Sequence, residues 1–107
     1  MFEKFLNKTK CTEEELVKEL LNPAFNSNKV NKIINSITVD LNTLFFNDEL
    51  VFHICCKKDL FQAVSWFLEN DINIEIENDQ KDTAIFYAIH SKSTAILQIL
   101  IEKKKNN

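Results

Sequence analysis

The chain has no glycine and a single proline in its 107 residues. Without glycine no turn can use a residue that enters positive φ freely. Asn and Asp, which tolerate that region best among the other residues, must therefore close most of the turns. The same absence excludes a phosphate-cradling loop of the glycine-rich kind. Long apolar runs are missing too: no window approaches the roughly 18 residues needed to span a bilayer. Residues 1–10 place three lysines and a glutamate around Phe2, Phe5 and Leu6, unlike a secretion signal. Acidic residues outnumber basic ones, 16 to 13. With a net charge of -3 and a pI near 5.4, the surface is unsuited to nucleic acid, whose phosphates require clustered Lys and Arg. Lys103, Lys104 and Lys105 form one basic block, read as a solvated helix end that complements the helix dipole. Three cysteines, an odd number with two adjacent, do not make a secreted disulfide framework. A soluble cytoplasmic protein without a membrane or nucleic-acid partner is the expectation.

What remains is a globular composition, 45% hydrophobic and 27% charged with nine phenylalanines, at a length that supports one domain with one core. Thr12 followed by Glu15 is a capping box, with Cys11 and Leu16 at the hydrophobic staple positions and Glu13 and Glu14 in the first turn. A helix is predicted from there, with Leu16, Val17, Leu20 and Leu21 on one face, ending at Asn22–Pro23. A shorter helix is predicted over residues 2–9. Val30, Ile33, Ile34 and Ile37 mark another amphipathic helix. At residues 38–46, TVDLNTLFF, the apolar period changes from 3.6 to 2, which predicts an extended segment.

The same change recurs. Ala63, Val64, Trp66, Phe67 and Leu68 form a helical stripe, and INIE at residues 72–75 then repeats the alternation of VDLN at residues 39–42. A shift of about 33 residues relates the two. It also lays Phe52 on Ile85, Cys55 on Ala88, Cys56 on Ile89, Ala63 on Ile96, Phe67 on Leu100 and Leu68 on Ile101, apolar upon apolar. A fixed period of this length means stacked supersecondary units, none of which can bury its apolar face alone.

A 33-residue period of two short helices and an extended turn resembles the ankyrin repeat, whose first helix opens on T-P-L-H-x-A. Leu50-Val51-Phe52-His53-Ile54-Cys55 occupies that motif in one unit and Thr83-Ala84-Ile85-Phe86-Tyr87-Ala88 in the next. VDLN and INIE resemble the stretch that leads into the family's hairpin-like fingers. The resemblance implies an all-α array of stacked helix-turn-helix units. Residues 1–43 would hold the N-terminal helices and a capping repeat, 44–76 a repeat, and 77–107 the last repeat with its lysine-rich tail. Another helical-hairpin array is the alternative. Where the family uses glycine, this chain has Asp48 and Lys81 in the fingers, Asp59 and Lys92 between helices and Asp71 after a second helix. Lysine enters the left-handed region less readily than aspartate, so the second finger is expected to be the more distorted.

Chemistry would have to come from FHICCKKD, residues 52–59, with His90 elsewhere. A closed zinc site needs four ligands, and His53 and Cys55 stand two apart on a helix, where side chains diverge. By the 33-residue shift Cys55 and Cys56 read as small packing residues, and the resemblance gives His53 a structural role, its ring bonded to backbone of a neighbouring finger. A metal or thiol site on His53, Cys55 and Cys56 is the minor alternative. Trp66 reads as core. Neither a cofactor nor a catalytic residue is predicted.

Two features stand out. Residues 69–82 carry six acids, Glu69, Asp71, Glu75, Glu77, Asp79 and Asp82, against Lys81 alone. Leu44-Phe45-Phe46 is apolar where the other finger has Glu77, Asn78 and Asp79. The resemblance implies a non-enzymatic protein-interaction module, monomeric when free. It would bind a protein partner with a basic surface through Phe45, Phe46, Asn47, Glu49, Lys57, Lys58, Glu77, Asp79, Gln80, Asp82, His90 and Ser91. The acidic finger and the aromatic tip are both open as the contact. A narrower version is a small acidic inhibitor or immunity protein that masks a basic enzyme.

Overall fold

The computed structural model describes residues 12–106, so the helix predicted over residues 2–9 and the staple position of Cys11 lie outside the described residues. The elements are α1 (Glu13–Leu20), α2 (Ser27–Ile34), a 3-10 turn (Leu41–Thr43), β1 (Phe45–Phe46), β2 (Glu49–Leu50), α3 (Val51–Lys57), α4 (Phe61–Glu69), α5 (Ala84–His90) and α6 (Thr94–Lys105). They pair as antiparallel hairpins, α1 with α2, α3 with α4 and α5 with α6, and the first helices stack α1 on α3 on α5.

The caps follow from side-chain chemistry. Thr12 Oγ1 accepts from the Glu15 N–H at 3.2 Å and starts α1, and Asn26 Oδ1 accepts from the Lys29 N–H at 3.2 Å and starts α2. Each satisfies one of the donors that a helix N-terminus leaves unpaired. At the other ends the missing glycines are replaced where the sequence predicts. Asp48, Asp59, Asp71, Lys81 and Lys92 all adopt positive φ, between 58° and 65°, and Asn47 joins them at 51°. Asp59 closes α3 in a Schellman turn: its own N–H reaches the Cys56 carbonyl and the Leu60 N–H reaches the Cys55 carbonyl at 2.9 Å. The same bonds recur one period later, Lys92 to Ile89 and Ser93 to Ala88. Holding a residue with a Cβ in this region costs about 1 kcal/mol per position. Both lysine turns form despite it, because the stacked helices on either side fix where the chain must reverse.

Hydrogen bonds also run at the repeat spacing between units. Cys55 Sγ points at the Leu20 carbonyl (3.8 Å), Trp66 Nε1 donates to Asn31 Oδ1 (2.8 Å), the Asn73 N–H donates to Asn42 Oδ1 (2.8 Å) and Ser91 Oγ donates to the Cys56 carbonyl (3.2 Å). These four bonds span 31 to 35 residues each. The core they border runs through all three hairpins, with Leu16, Leu20, Val30, Phe52, Val64, Phe67, Ile96 and Leu100 among its buried members. Trp66 is buried with them, as its stripe predicts.

Three details depart from the expectation. The segment over residues 38–46 is not continuously extended, because Asp40 accepts from the Asn42 N–H and folds Leu41–Thr43 into a 3-10 turn. Leu44 is a core residue at 1% exposure and no part of an apolar tip, which leaves Phe45 and Phe46 alone at the surface. Finally, Cys56 is fully buried whereas Ile89, its counterpart one period on, is 58% exposed. Phe86 and Ile101 are exposed as well, opposite the buried His53 and Leu68. The reason is positional: α5 and α6 cover the face of α3 and α4, and among the described residues no further hairpin covers α5 and α6. No described helix is long and apolar enough to cross a membrane.

Candidate functional site

The two fingers reach the same edge of the stack by different means. In the first, Phe45 pairs with Leu50 and Phe46 with Glu49, and Asn47 and Asp48 make a two-residue turn with positive φ at both positions, the geometry that matches strand twist. The second finger, residues 77–82, forms no strand pair. Its Asn78 side chain takes over, with Oδ1 accepting from the Gln80 and Asp82 N–H groups at 2.9 Å each. Asn78 Nδ2 meets the Tyr87 hydroxyl at 2.6 Å and ties the finger to α5. Lys81 turns at φ 65°, as Asp48 does in the first finger. The second finger thus differs through its side-chain closure, while its lysine turn is well formed.

Between the fingers lies a cleft of about 310 Å³, lined by Phe45, Asp48, Glu49, Leu50, His53, Ile76, Glu77, Asn78, Asp79, Gln80 and Tyr87. The aromatic tip and the acidic finger, alternatives in the sequence, are therefore two walls of one depression. Five of the twelve residues predicted for partner contact line it: Phe45, Glu49, Glu77, Asp79 and Gln80. Lys57 borders it through Glu49, whose two carboxylate oxygens each stand 2.8 Å from the Lys57 ammonium. Phe46 turns the other way. With Phe45 it borders a second depression of about 670 Å³ against Thr12, Glu13, Glu14, Val17, Lys18 and Leu21 of the α1 region. Asn47 sits at the exposed tip, and Asp82 anchors its finger through its backbone. Lys58 and His90 are exposed outside the cleft, His90 packing edge-on against Phe86 at 4.4 Å. Ser91 is spent on structure, since its hydroxyl bonds the Cys56 carbonyl and meets Ser93 Oγ at 2.8 Å.

Tyr87, Ile76 and His53 line the cleft and stand outside the twelve residues predicted for partner contact. The 33-residue shift places the two fingers side by side, which was the available signal. That a first-helix residue would show between them depends on side-chain depth, which a period does not carry.

His53 is 2% exposed, with its ring 5.1 Å from that of Tyr87. Burial holds its pKa below the usual histidine range, against the opposing influence of the Ile76 backbone and the carboxylates of Glu49 and Asp82. The Ile76 interaction is the finger contact expected of this histidine. Nε2 itself has no hydrogen-bond partner within bonding geometry among the described residues.

The cysteines behave as packing residues. Both are fully buried and free. Burial pushes the Cys55 thiol up to about 12, and burial with the neighbouring Cys55 raises Cys56 as well. A thiol nucleophile or metal ligand needs the thiolate, which these sites disfavour. Among the described residues no three His, Cys, Asp or Glu side chains are arranged to hold a metal ion. In a Cys11→Ser background, Cys55 and Cys56 are expected to stay unreactive toward an aromatic disulfide reagent until urea unfolds the chain. Prompt labelling of the native protein would revive the thiol alternative.

The chain matches the family model for ankyrin repeats (3 copies) over residues 8–107, and it belongs to that family. The match takes in α1 as well as the two units legible from the period. No curated protein and no solved structure matches the chain. Ankyrin repeats are in general protein–protein interaction modules, and the family is typically non-enzymatic.

Proposed function

We propose that this protein binds a protein partner with a basic surface, and that the cleft between its two fingers is the contact. One observation carries the reading. Asp48, Glu77 and Asp79 face this cleft without an ion-pair partner among the described residues, whereas the ion pairs present engage Glu19, Glu49 and Glu75. Exposed carboxylates gathered without cations raise the local potential for a cationic partner and speed its encounter. Phe45, 56% exposed beside them, supplies the apolar area that charge alone lacks. Small size and acidity are all that singles out an inhibitor of a basic enzyme, and the cleft contains nothing specific to enzymes.

Glu77→Lys combined with Asp79→Lys is the test. Both side chains are exposed, so the fold should be kept. Against a partner recovered from native lysate and then purified, affinity is expected to fall about tenfold or more at low salt, and its salt dependence to flatten. Unchanged affinity with unchanged salt dependence would reject the cleft as the contact.

A further inference from the structure

Phe45 and Phe46 are adjoining aromatics that stand exposed on the first finger. Such a pair marks a surface that something covers. Both belong to the second depression, of about 670 Å³, whose other wall is α1. From α1 that wall takes Glu14, Val17, Lys18 and Leu21, spaced i, i+3, i+4 and i+7, with Glu13 beside them and Thr12 at the start. This spacing is a single stripe that runs from the first turn of the helix to its C-cap. The depression is therefore a groove along α1, about 12 Å long for a helix of eight residues.

The chain itself supplies a cover of matching length. Residues 1–11 lead directly into Thr12, which lines the groove, so they start within reach of it. The helix that the sequence predicts over residues 2–9 is as long as α1. Phe2, Phe5 and Leu6, at i, i+3 and i+4, share one face of it. Residues 10–12 leave a short connection, and helices joined so closely pack antiparallel and side by side. Folded back in this way, the segment lays Phe2, Phe5 and Leu6 toward the Val17 and Leu21 part of the stripe and keeps Lys8 and Lys10 beside Glu13 and Glu14.

Charge and connectivity favour this occupant over a separate partner. The segment carries Lys4, Lys8 and Lys10 against Glu3, whereas the groove is lined by Glu13 and Glu14 against Lys18. A tethered segment also meets its groove at an effective concentration in about the millimolar range, ahead of any free molecule. The family match begins at residue 8, so most of the predicted helix is an addition to the repeats.

We propose that residues 2–9 form a helix that docks in the groove between α1 and the first finger, with Phe2, Phe5 and Leu6 against Leu21, Phe45 and Phe46. The groove and the finger cleft share Phe45 alone. The docked segment therefore steadies one wall of the cleft and leaves its acidic wall open, and the proposal stands apart from the reading of that cleft as a partner contact.

Amide hydrogen exchange of the full chain, read residue by residue by NMR, is the test. The amides of residues 6–9 are the ones that such a helix bonds internally. An isolated helix of eight residues is unstable in water, so slow exchange at these amides requires packing. In the parent protein they are expected to exchange at least about tenfold more slowly than in an unstructured chain. Phe46→Ser, at an exposed position, should return them to within about twofold of the unstructured rate while α3 and α4 keep their protection. Phe61→Ser, exposed but outside the groove, should leave them protected. From the segment side, Phe5→Ser should lower the urea midpoint, and added to Phe46→Ser it should lower it little further, because both remove the same contact.

Unstructured exchange rates in the parent would overturn the proposal and leave the groove to a partner. Protection that survives Phe46→Ser would overturn it as well, since the helix would then be packed elsewhere, and so would fully additive midpoint losses for Phe5→Ser and Phe46→Ser. Protection that rises with protein concentration, together with a light-scattering mass above that of one chain, would seat the segment on a second copy and reject docking within one chain.

Discussion

Phe67→Ala is expected to destabilise the protein by about 3–5 kcal/mol, a large part of what a domain of this size has to lose. Phe67 is fully buried on α4, with its ring 5.3 Å from that of Phe52 on α3 and 5.4 Å edge-on from that of Trp66. It therefore knits the central hairpin together, and that hairpin is the one in contact with units on both sides. In an array, stability is close to a sum of unit terms and nearest-neighbour terms. A cavity in the middle unit weakens its own term and both of its interfaces. The single tryptophan sits in that unit, so its fluorescence reports on the centre while far-ultraviolet circular dichroism reports on the whole. In urea, both signals should move together to a much lower midpoint. Phe61→Ala serves as the control: Phe61 is on the same helix but 41% exposed, and its substitution should change stability by less than about 1 kcal/mol. A Phe67→Ala midpoint close to that of the control would mean that the stack does not depend on its central aromatic pair.

That core was largely legible in advance, because a 33-residue shift aligns apolar positions only if the same hairpin is built repeatedly. Phe52, Ala63, Trp66 and Phe67 follow from the shift, and the left-handed turns at Asp48, Asp59, Asp71, Lys81 and Lys92 follow from the resemblance to ankyrin repeats, whose glycines they replace. A period states which positions are equivalent. It does not state which of them have a neighbour. Cys56 and Ile89 are equivalent in sequence and opposite in exposure because burial here comes from the adjacent unit. Leu44 shows another limit: the run Leu44-Phe45-Phe46 looks uniform in hydropathy, but Leu44 ends the 3-10 turn, its carbonyl accepts from the Val51 N–H at the start of α3, and it alone of the three is buried.

The candidate site was legible in halves. Each finger announced its own character, one aromatic and one acidic, from local composition. Their meeting in one cleft follows from stacking fingers one period apart. The floor of that cleft did not follow, since it depends on how far His53 and Tyr87 stand back from the rim.

That floor also makes stability depend on pH in a definable direction. His53 has a folded-state pKa below the 6.5 expected of the unfolded chain, with burial as the leading cause. Above about pH 6.5 the ring is neutral in both states, and folding has no proton to release. As pH falls below that value, the unfolded chain takes up the proton first, and stability drops by at most about 1.4 kcal/mol per pH unit until the folded-state pKa is reached. The ring faces the Ile76 backbone, the carboxylates of Glu49 and Asp82, and the rings of Phe52 and Tyr87. The two carboxylates oppose the loss while they stay charged. Urea midpoints at about pH 7.5 and 5.5 should therefore differ for the parent protein, with the lower midpoint at pH 5.5. His53→Gln keeps a polar side chain of similar reach without a titrating ring, and it should shrink that difference by at least half. If the variant is less stable at both pH values but loses as much as the parent on acidification, the titrating group lies elsewhere and His53 contributes only packing.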